Sequence, residues 1–351
     1  MCSLRGAKRA GIIAAVVFTM LFATAGPAIA QVLEGVGRYG GADRYHTALL
    51  GSQSQWPDNS TNSVVLANAY EFADSLSASA ICGELRAPLL LTSWGEVRAD
   101  VMAEIERVTP FDAETGTVWL VGGTDVIGSP VAEQLTDAGF NVFRIGGDDR
   151  YETSLLVAQQ LRAAQDERWA GEVWLVRGDL FPDGLAVSPY AYQIARPVLL
   201  TRPASLPDGI AEFMEENVNW AGIIGGPEAV SSDVVAERDA LGIGGPRIGG
   251  GNRYETSAEL ARYALTAGAF PAEVNYLGIA SGQNFPDALT GGIVAGQANG
   301  FMVLTRQASA PQSVLDFAAD HPEPEEGAWV FGGFRAVSED ARAQFEEVLY
   351  P

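Results

Sequence analysis

The chain has 351 residues, of which 47% are hydrophobic and 19% charged, so it can bury a large core and is not an intrinsically disordered chain. Lys and Arg number 22 against 44 Asp and Glu, which gives a formal net charge of −22 at pH 7. This acidity argues against a sequence-independent nucleic-acid binder, because such a protein needs a basic face toward the phosphates.

Residues 1–30 have the pattern of a secretory signal peptide. Three basic residues precede an apolar stretch at 11–25, and the small residues of a cleavage site follow at 28–30. No later apolar run approaches the ~20 residues that span a bilayer. We therefore predict a secreted chain that begins near Gln31 and has no transmembrane anchor.

Cysteine and histidine usage predicts neither a disulfide nor a metal centre. Cys82 is the single cysteine after residue 30, and His46 and His321 lack the neighbouring His or Cys that zinc sites require. The acidic loop at 321–327 lacks EF-hand spacing, so a solvated surface loop is favoured over a weak calcium site. We predict no resident metal and no cofactor.

An eleven-residue motif divides the rest of the chain into three units. It reads RYGGADRYHTA at 38–48, RIGGDDRYETS at 144–154 and RIGGGNRYETS at 247–257. An F-x-D signature then follows in each unit, at 72–74, 181–183 and 285–287. An apolar-GG signature comes last, at 121–123, 224–226 and 331–333. The spacing is that of a domain and predicts three modules, which cover residues 31–140, 141–243 and 244–351.

Each unit alternates short apolar runs with longer amphipathic stretches. In the second unit, the runs VFRIGG, VWLVRG, PVLLT and AGIIGG alternate with the stretches YETSLLVAQQL and GLAVSPYAYQIA and with an acidic helix. Continuous apolar strands separated by helices indicate a parallel sheet that is buried on both faces. We predict three tandem three-layer α/β modules, whose ligands bind beyond the carboxyl ends of the strands.

The repeated motif has a local structural explanation. Its glycines allow a tight turn after a strand, and Asp149 is placed to cap the following helix. Glu152, three residues further on, completes a capping box. The first unit starts the same pattern with Asp43, but His46 stands where the other two units have Glu.

Taken together, these three signatures in tandem behind a signal peptide resemble the type 2 cell-wall-binding repeat of Gram-positive surface proteins. The resemblance covers essentially all of the chain after residue 30. It implies Rossmann-like modules around a pseudo-threefold axis, and non-covalent attachment at the cell surface to anionic polymers of the wall. In this family the repeats commonly lie beside an effector domain such as an autolysin; with so few residues before position 38, we expect none here.

Two roles fit the motif arginines Arg44, Arg150 and Arg253. A guanidinium can donate bidentate hydrogen bonds to a phosphate or carboxylate of a polymer. The same arginine at a helix start can instead tie one module to the next through the aspartate of an F-x-D signature. These aspartates are Asp74, Asp183 and Asp287.

Three further sets of repeated side chains belong to the predicted site. At the strand before the GG turn lie Arg38, Arg144 and Arg247, for which a role at a module junction is favoured over ligand binding. At predicted strand ends lie Thr92, Thr201 and Thr305, which contact ligand or cap helices. Within the motif lie Tyr45, Tyr151 and Tyr254, for which packing against the sheet is favoured over stacking on a sugar ring.

The remaining patterns argue against catalysis. The GG pairs complete neither G-x-G-x-x-G nor a Walker motif, and no G-x-S-x-G elbow with a partnered histidine occurs. We predict a non-enzymatic protein that grips an anionic wall polymer at three equivalent sites, with divalent cations as possible bridges between the two anionic partners. The alternatives are an autolysin-type hydrolase of wall glycan or peptide, and a surface-layer or adhesion subunit. The oligomeric state stays open.

Overall fold

The computed structural model describes residues 35–110 and 116–351, and the predicted signal peptide lies outside them. In this part of the chain, twelve strands form three four-stranded sheets in which all pairs are parallel. The predicted class of three parallel α/β modules is therefore confirmed. No helix of the described residues is both long and apolar enough to cross a bilayer.

The sheets share one strand order. The first contains β2 (Ser63–Asn68), β3 (Leu89–Thr92), β4 (Thr117–Val121) and β5 (Asn141–Ile145), ordered β3-β2-β4-β5. The second contains β6 (Glu172–Arg177), β7 (Val198–Thr201), β8 (Trp220–Ile224) and β9 (Arg247–Ile248), ordered β7-β6-β8-β9. The third contains β10 (Leu277–Ser281), β11 (Phe301–Thr305), β12 (Ala328–Phe331) and β1 (Gly37–Tyr39), ordered β1-β12-β10-β11.

Three helices that follow the F-x-D signatures pack against one another in the middle of the molecule. They are α2 (Ala78–Leu85), α6 (Pro182–Gln193) and α10 (Pro286–Gln297). Glycines permit their close approach: a Cβ atom at Gly292 would lie 2.6 Å from Cβ of Ser188, and one at Gly296 would lie 2.7 Å from Cβ of Tyr192. The central core is thus built from backbone-to-side-chain contacts between repeats.

The helices that start at the repeated motif pack on the sheets. They are α1 (Arg44–Gln55) against β3, α5 (Arg150–Gln165) against β7 and α9 (Arg253–Thr266) against β11. The other helices are α3 (Ala99–Val108), α4 (Ser129–Asp137), α7 (Asp208–Asn217), α8 (Ser232–Ala240), α11 (Gln312–Ala319) and α12 (Glu339–Leu349). Short 3-10 helices occur at Asp74–Ser77 and Asp166–Arg168.

In the second sheet, successive strand residues face two different cores. In β6, Trp174 and Val176 belong to the large core shared by the three sheets, whereas Val173 and Leu175 belong to a smaller core on the opposite face. All four side chains are fully buried. Burial on both faces explains why these strands are continuous apolar runs rather than alternating ones.

The sheets and the sequence repeats begin at different residues. The strand of each R-x-GG segment lies in the sheet of the preceding unit: β5 pairs with β4, and β9 pairs with β8. The first such strand, β1, pairs with β12 at the other end of the chain and so completes the third sheet. Each motif turn consequently carries the chain from one sheet to a helix that packs on the next, and the three units form a closed ring.

Candidate functional site

Three surface clefts built in the same way lie at the carboxyl ends of the strands. Each is lined by an F-x-D aspartate, the turn after an apolar-GG signature, and the GG-x-(D/N)-R turn of the following repeat. We name them by the aspartate: the Asp74 cleft with residues 123–126 and 147–150, the Asp183 cleft with 226–229 and 250–253, and the Asp287 cleft with 333–336 and 40–44. Their volumes are about 360, 630 and 750 Å³, respectively.

Glycines let the two turns and the aspartate of each cleft approach closely. Gly225 adopts φ +111°, and a Cβ atom there would lie 2.7 Å from Oδ2 of Asp183. At Gly249, a Cβ atom would lie 2.5 Å from the carbonyl carbon of Gly225. A side chain at either position would push the turns apart, so the cleft depends on both glycines.

The start of the motif helix follows the predicted capping pattern. Asp149 Oδ1 accepts a hydrogen bond from the Glu152 backbone N–H at 2.9 Å, and Glu152 Oε2 accepts one from the Asp148 N–H at 2.6 Å. The predicted N-cap is thereby confirmed. In the first repeat, Nδ1 of His46 instead lies 3.0 Å from Oδ1 of the capping Asp43.

The motif arginines each donate a hydrogen bond to a backbone carbonyl at the end of a strand in the adjoining sheet. The pairs are Arg44 with Ala69 O, Arg150 with Gly178 O at 3.0 Å, and Arg253 with Gly282 O at 2.5 Å. Within residues 35–110 and 116–351, none of the three forms an ion pair with a carboxylate inside 4 Å. Each guanidinium at its cleft is therefore without a direct ion pair in this part of the chain, although an F-x-D aspartate lies nearby.

The phenylalanines of the F-x-D signatures meet at one point between the three clefts, and we call the surface around this point the cleft face. The ring centroids of Phe72, Phe181 and Phe285 lie 5.4 to 6.2 Å apart. A motif guanidinium lies over each ring: Arg150 at 5.6 Å from Phe72, Arg253 at 5.9 Å from Phe181 and Arg44 at 6.0 Å from Phe285. These rings were not among the predicted site residues, although their recurrence in all three signatures was the signal for them.

The F-x-D aspartates connect the repeats. Each lies beside the threonine and arginine of the motif in the next repeat, and the pairs are Asp74 with Thr153 and Arg150, Asp183 with Thr256 and Arg253, and Asp287 with Thr47 and Arg44. Burial raises the pKa of all three carboxyl groups, while the threonine hydroxyl and the arginine charge act in the opposite direction. The threonine, rather than a direct arginine ion pair, is the hydrogen-bonding partner of each aspartate, so the junction role of the arginines stays a prediction and the threonines are partners that the sequence prediction missed.

The arginines before the GG turn hold the apolar-GG turn beside them. Each donates to a glycine carbonyl at 2.8 Å, and the pairs are Arg38 with Gly332 O, Arg144 with Gly122 O and Arg247 with Gly225 O. Burial lowers the pKa of all three guanidinium groups. These contacts favour the junction role over ligand binding for this set, and both roles stay predictions.

The threonines at the strand ends are completely buried. They are Thr92, Thr201 and Thr305. The Thr92 hydroxyl donates to Glu96 O at 2.9 Å, whereas those of Thr201 and Thr305 have no partner among the residues described. A ligand at the surface would reach these hydroxyls only if the strand ends opened, so their predicted ligand contact has no geometric support here.

The motif tyrosines lie against neighbouring arginines. Tyr45 and Tyr254 are buried and Tyr151 is half-buried. A guanidinium covers each ring at 4.5 to 5.2 Å, and the pairs are Arg98 with Tyr45, Arg202 with Tyr151 and Arg306 with Tyr254. Packing is the role that this burial supports, and stacking on a sugar would require the arginine to leave.

The clefts differ in the charges at their rims. The second residue after the apolar-GG signature is Asp125, Glu228 or Arg335. The Asp74 cleft is lined by five carboxylates and one arginine, the Asp183 cleft by two of each, and the Asp287 cleft by two carboxylates and three arginines. Across residues 35–110 and 116–351, no group of three or more His, Cys, Asp or Glu side chains is placed to hold a metal ion.

Comparison with known proteins identifies the repeats. The family model for cell wall binding domain 2 (CWB2) matches residues 38–132, 144–235 and 247–342. The chain is 27% identical over 271 residues to the N-acetylmuramoyl-L-alanine amidase LytC of Bacillus subtilis, covering 77% of this chain and 50% of the amidase. It is 29% identical over 283 residues to the amidase enhancer of the same organism, covering 81% of this chain and 36% of that protein.

Solved structures share the fold. Cwp6 and Cwp8 from Clostridium difficile superpose with TM-scores of 0.78 and 0.79 at 22% sequence identity. Each superposition covers 90% of this chain, but only 49% of Cwp6 and 51% of Cwp8. The chain thus spans half or less of the length of the two curated relatives, and about half of these two structures.

Proposed function

The chain belongs to the cell wall binding domain 2 family, and from that membership we propose that it attaches non-covalently to the wall by binding an anionic wall polymer along the face that carries the three clefts. The family assignment places its repeats among cell wall binding modules. The amidase and the amidase enhancer are related to this chain over part of their lengths only. We therefore propose wall attachment without catalysis.

The observation that carries this proposal is that none of the motif arginines forms an ion pair inside 4 Å with a carboxylate of residues 35–110 and 116–351. One guanidinium lies at each cleft, and its hydrogen bond to a carbonyl uses a single nitrogen, Nη1. A guanidinium presents five N–H donors in a planar fork that matches phosphate and carboxylate. The contact with a carbonyl also fixes the side chain in place, so less rotamer entropy is lost when an anion binds.

Repetition on one face suits a polymer ligand. Once one segment is bound, the neighbouring clefts meet the next segments at a high effective concentration, which can raise the overall affinity about 10²-fold. The opposing long-range repulsion between an acidic protein and an anionic wall is screened over ~8 Å at physiological salt. Arginines that contact the polymer act inside that distance, where their local attraction outweighs the repulsion from the net charge of the protein.

Retention on purified walls tests the proposal. The protein is incubated with walls before and after acid extraction of their anionic polymers, and the bound fraction is measured. We expect extraction to abolish retention, and we expect a triple Arg44, Arg150 and Arg253 to Gln variant to lose most of it. Circular dichroism and thermal unfolding establish that the variant is folded.

The outcomes separate the open alternatives. Retention that survives extraction would identify peptidoglycan or a wall protein as the ligand, and normal retention of the folded triple variant would assign the arginines to the module junctions. Retention that requires calcium would replace direct arginine contacts by cation bridges. Zymography on purified walls tests the non-enzymatic part, which clearing by the purified protein would overturn.

A further inference from the structure

We propose that the three clefts are not equivalent and that the Asp287 cleft, where the third repeat meets the first, is the principal anion site of this face. The inference rests on the proposed function and goes further by assigning one location to the anion. Its ligand is a phosphate or carboxylate group carried by the polymer. The other two clefts then serve mainly to hold the ring of modules together.

The charges on the cleft walls carry the proposal. Arg38, Arg44 and Arg335 line the Asp287 cleft together with the carboxylates of Asp43 and Asp287. Arg38 also forms an ion pair with Glu339 at 3.5 Å, so Arg44 and Arg335 are the arginines of this cleft that have no carboxylate inside 4 Å among residues 35–110 and 116–351. Asp43 already forms an ion pair with Arg98 at 2.6 Å. This cleft is the one with more arginines than carboxylates among the three described above.

Arg335 is the residue that makes the difference. Its side chain is exposed, and it forms neither a hydrogen bond nor an ion pair with any residue of 35–110 or 116–351. Arg335 and Arg44 line the same cleft, so two guanidinium groups from distant parts of the chain are available to one anion. The corresponding residues of the other clefts are Asp125 and Glu228, which carry the opposite charge.

The neighbouring side chain supplies an apolar platform. Phe334 is 66% exposed, and the guanidinium of Arg38 lies 4.7 Å from its ring centroid. The cation anchors the ring, leaving much of its surface exposed beside the anion site. A polymer that places a hydrocarbon or sugar surface next to its anionic group would cover this ring and remove apolar surface from water.

The other clefts lack these features. In the Asp74 cleft, Arg150 is surrounded by Glu71, Asp74, Asp125, Asp148 and Asp149. In the Asp183 cleft, Arg177 is paired with Asp179, so Arg253 is left to face Glu228 and Asp183. An anion that enters either cleft meets more carboxylates per arginine than it does in the Asp287 cleft, and so more repulsion.

Reversal of one charge tests the assignment. We expect Arg335→Glu to reduce wall retention about tenfold, which corresponds to ~1.4 kcal/mol of binding free energy. Arg162→Glu makes the same change in net charge at the last turn of α5, twelve residues or ~18 Å along the helix from Arg150, and should change retention less than about twofold. The variant Arg335→Glu with Glu228→Arg restores the net charge and should regain retention through the Asp183 cleft.

Soluble competitors identify the anion. Poly(glycerol phosphate) and polygalacturonate are added to wall-bound protein, and the one that displaces it shows whether phosphate or carboxylate is recognised. Equal effects of Arg335→Glu and Arg162→Glu would overturn the assignment in favour of net charge alone. Displacement by neither competitor would also overturn it, because the cleft would then recognise neither phosphate nor carboxylate. If acid extraction abolishes retention but Arg335→Glu does not, this inference fails while the proposed function stands. If extraction has no effect, the proposed function itself fails.

Discussion

The interior of the cleft face and its rim differ in how closely the three repeats agree. In the interior, the phenylalanine ring, the motif arginine and the F-x-D aspartate make the same contacts three times. At the rim, the residue two positions after the GG pair changes from Asp125 to Glu228 to Arg335. Closing the ring of modules requires the interior contacts, whereas the rim side chains meet solvent and are free to diverge. A repeated backbone therefore does not imply three equivalent ligand sites.

The largest expected difference between interior and rim is in stability. Phe285→Ala removes a ring that is 8% exposed and packs against Phe72 and Phe181, so the free energy of unfolding should fall by about 3 to 4 kcal/mol. Phe334→Ala, which truncates a ring that is 66% exposed at the rim, should change it by less than about 0.5 kcal/mol. Urea unfolding measures both, and similar losses would contradict the distinction.

The next effect concerns the turn beneath a cleft. Gly225→Ala places a methyl group at φ +111° and 2.7 Å from the Asp183 carboxylate, so it should cost about 2 kcal/mol of stability. Gly244→Ala is the matched control, because a Cβ atom there meets nothing within 4 Å. The two variants are compared by thermal unfolding. Equal melting temperatures would show that the turn tolerates a shift of the aspartate.

Two arginines of one repeat should separate junction from ligand roles. Arg144→Ala leaves the Gly122 carbonyl without its side-chain donor, whereas Gly123 O keeps the backbone N–H groups of Val126 and Ile127. The variant should therefore cost about 1 to 3 kcal/mol of stability and leave wall retention per folded molecule unchanged. Arg150→Ala loses one hydrogen bond, to Gly178 O, and should cost about 1 kcal/mol while lowering retention slightly. Unchanged retention for both would assign the two arginines to the junctions alone.

The smallest expected effect is a pH dependence of opposite sign at two neighbouring aspartates. Burial raises the pKa of Asp183, so the folded state binds a proton at this carboxyl group more tightly than the unfolded state does. The stability that the bound proton contributes is lost as pH rises from about 4. The hydrogen bond from Arg177 lowers the pKa of Asp179, whose contribution is lost as pH falls.

Asparagine variants expose these contributions. Relative to the parent protein, Asp183→Asn should gain stability with increasing pH, and Asp179→Asn should gain it with decreasing pH. Urea unfolding between about pH 3 and 7 checks both. Parallel profiles for the two variants would show that neighbouring charge, rather than burial, controls Asp183.

Local patterns were sufficient for much of the fold. The apolar runs predicted parallel strands because burial on both faces leaves no polar alternation, and Asp149 predicted a helix start because its cap bond spans only three residues. The motif arginines and F-x-D aspartates of the clefts were also identified from recurrence. Their partners were not, because Thr153 and Phe72 acquire a role only when separate repeats meet.

By itself, the sequence determined three repeats, their parallel α/β class and membership of a wall-binding family, since each follows from spacing and residue type within one repeat. Only the tertiary structure decided that β1 completes a sheet with β12, that three phenylalanines meet at one centre, and that Arg335 and Arg44 line the same cleft. Those outcomes depend on packing between segments hundreds of residues apart. The physical reason is that apolar burial is non-directional, so a local apolar pattern does not specify which segments meet. The rim charges that share a cleft are therefore selected by the way the modules close into a ring.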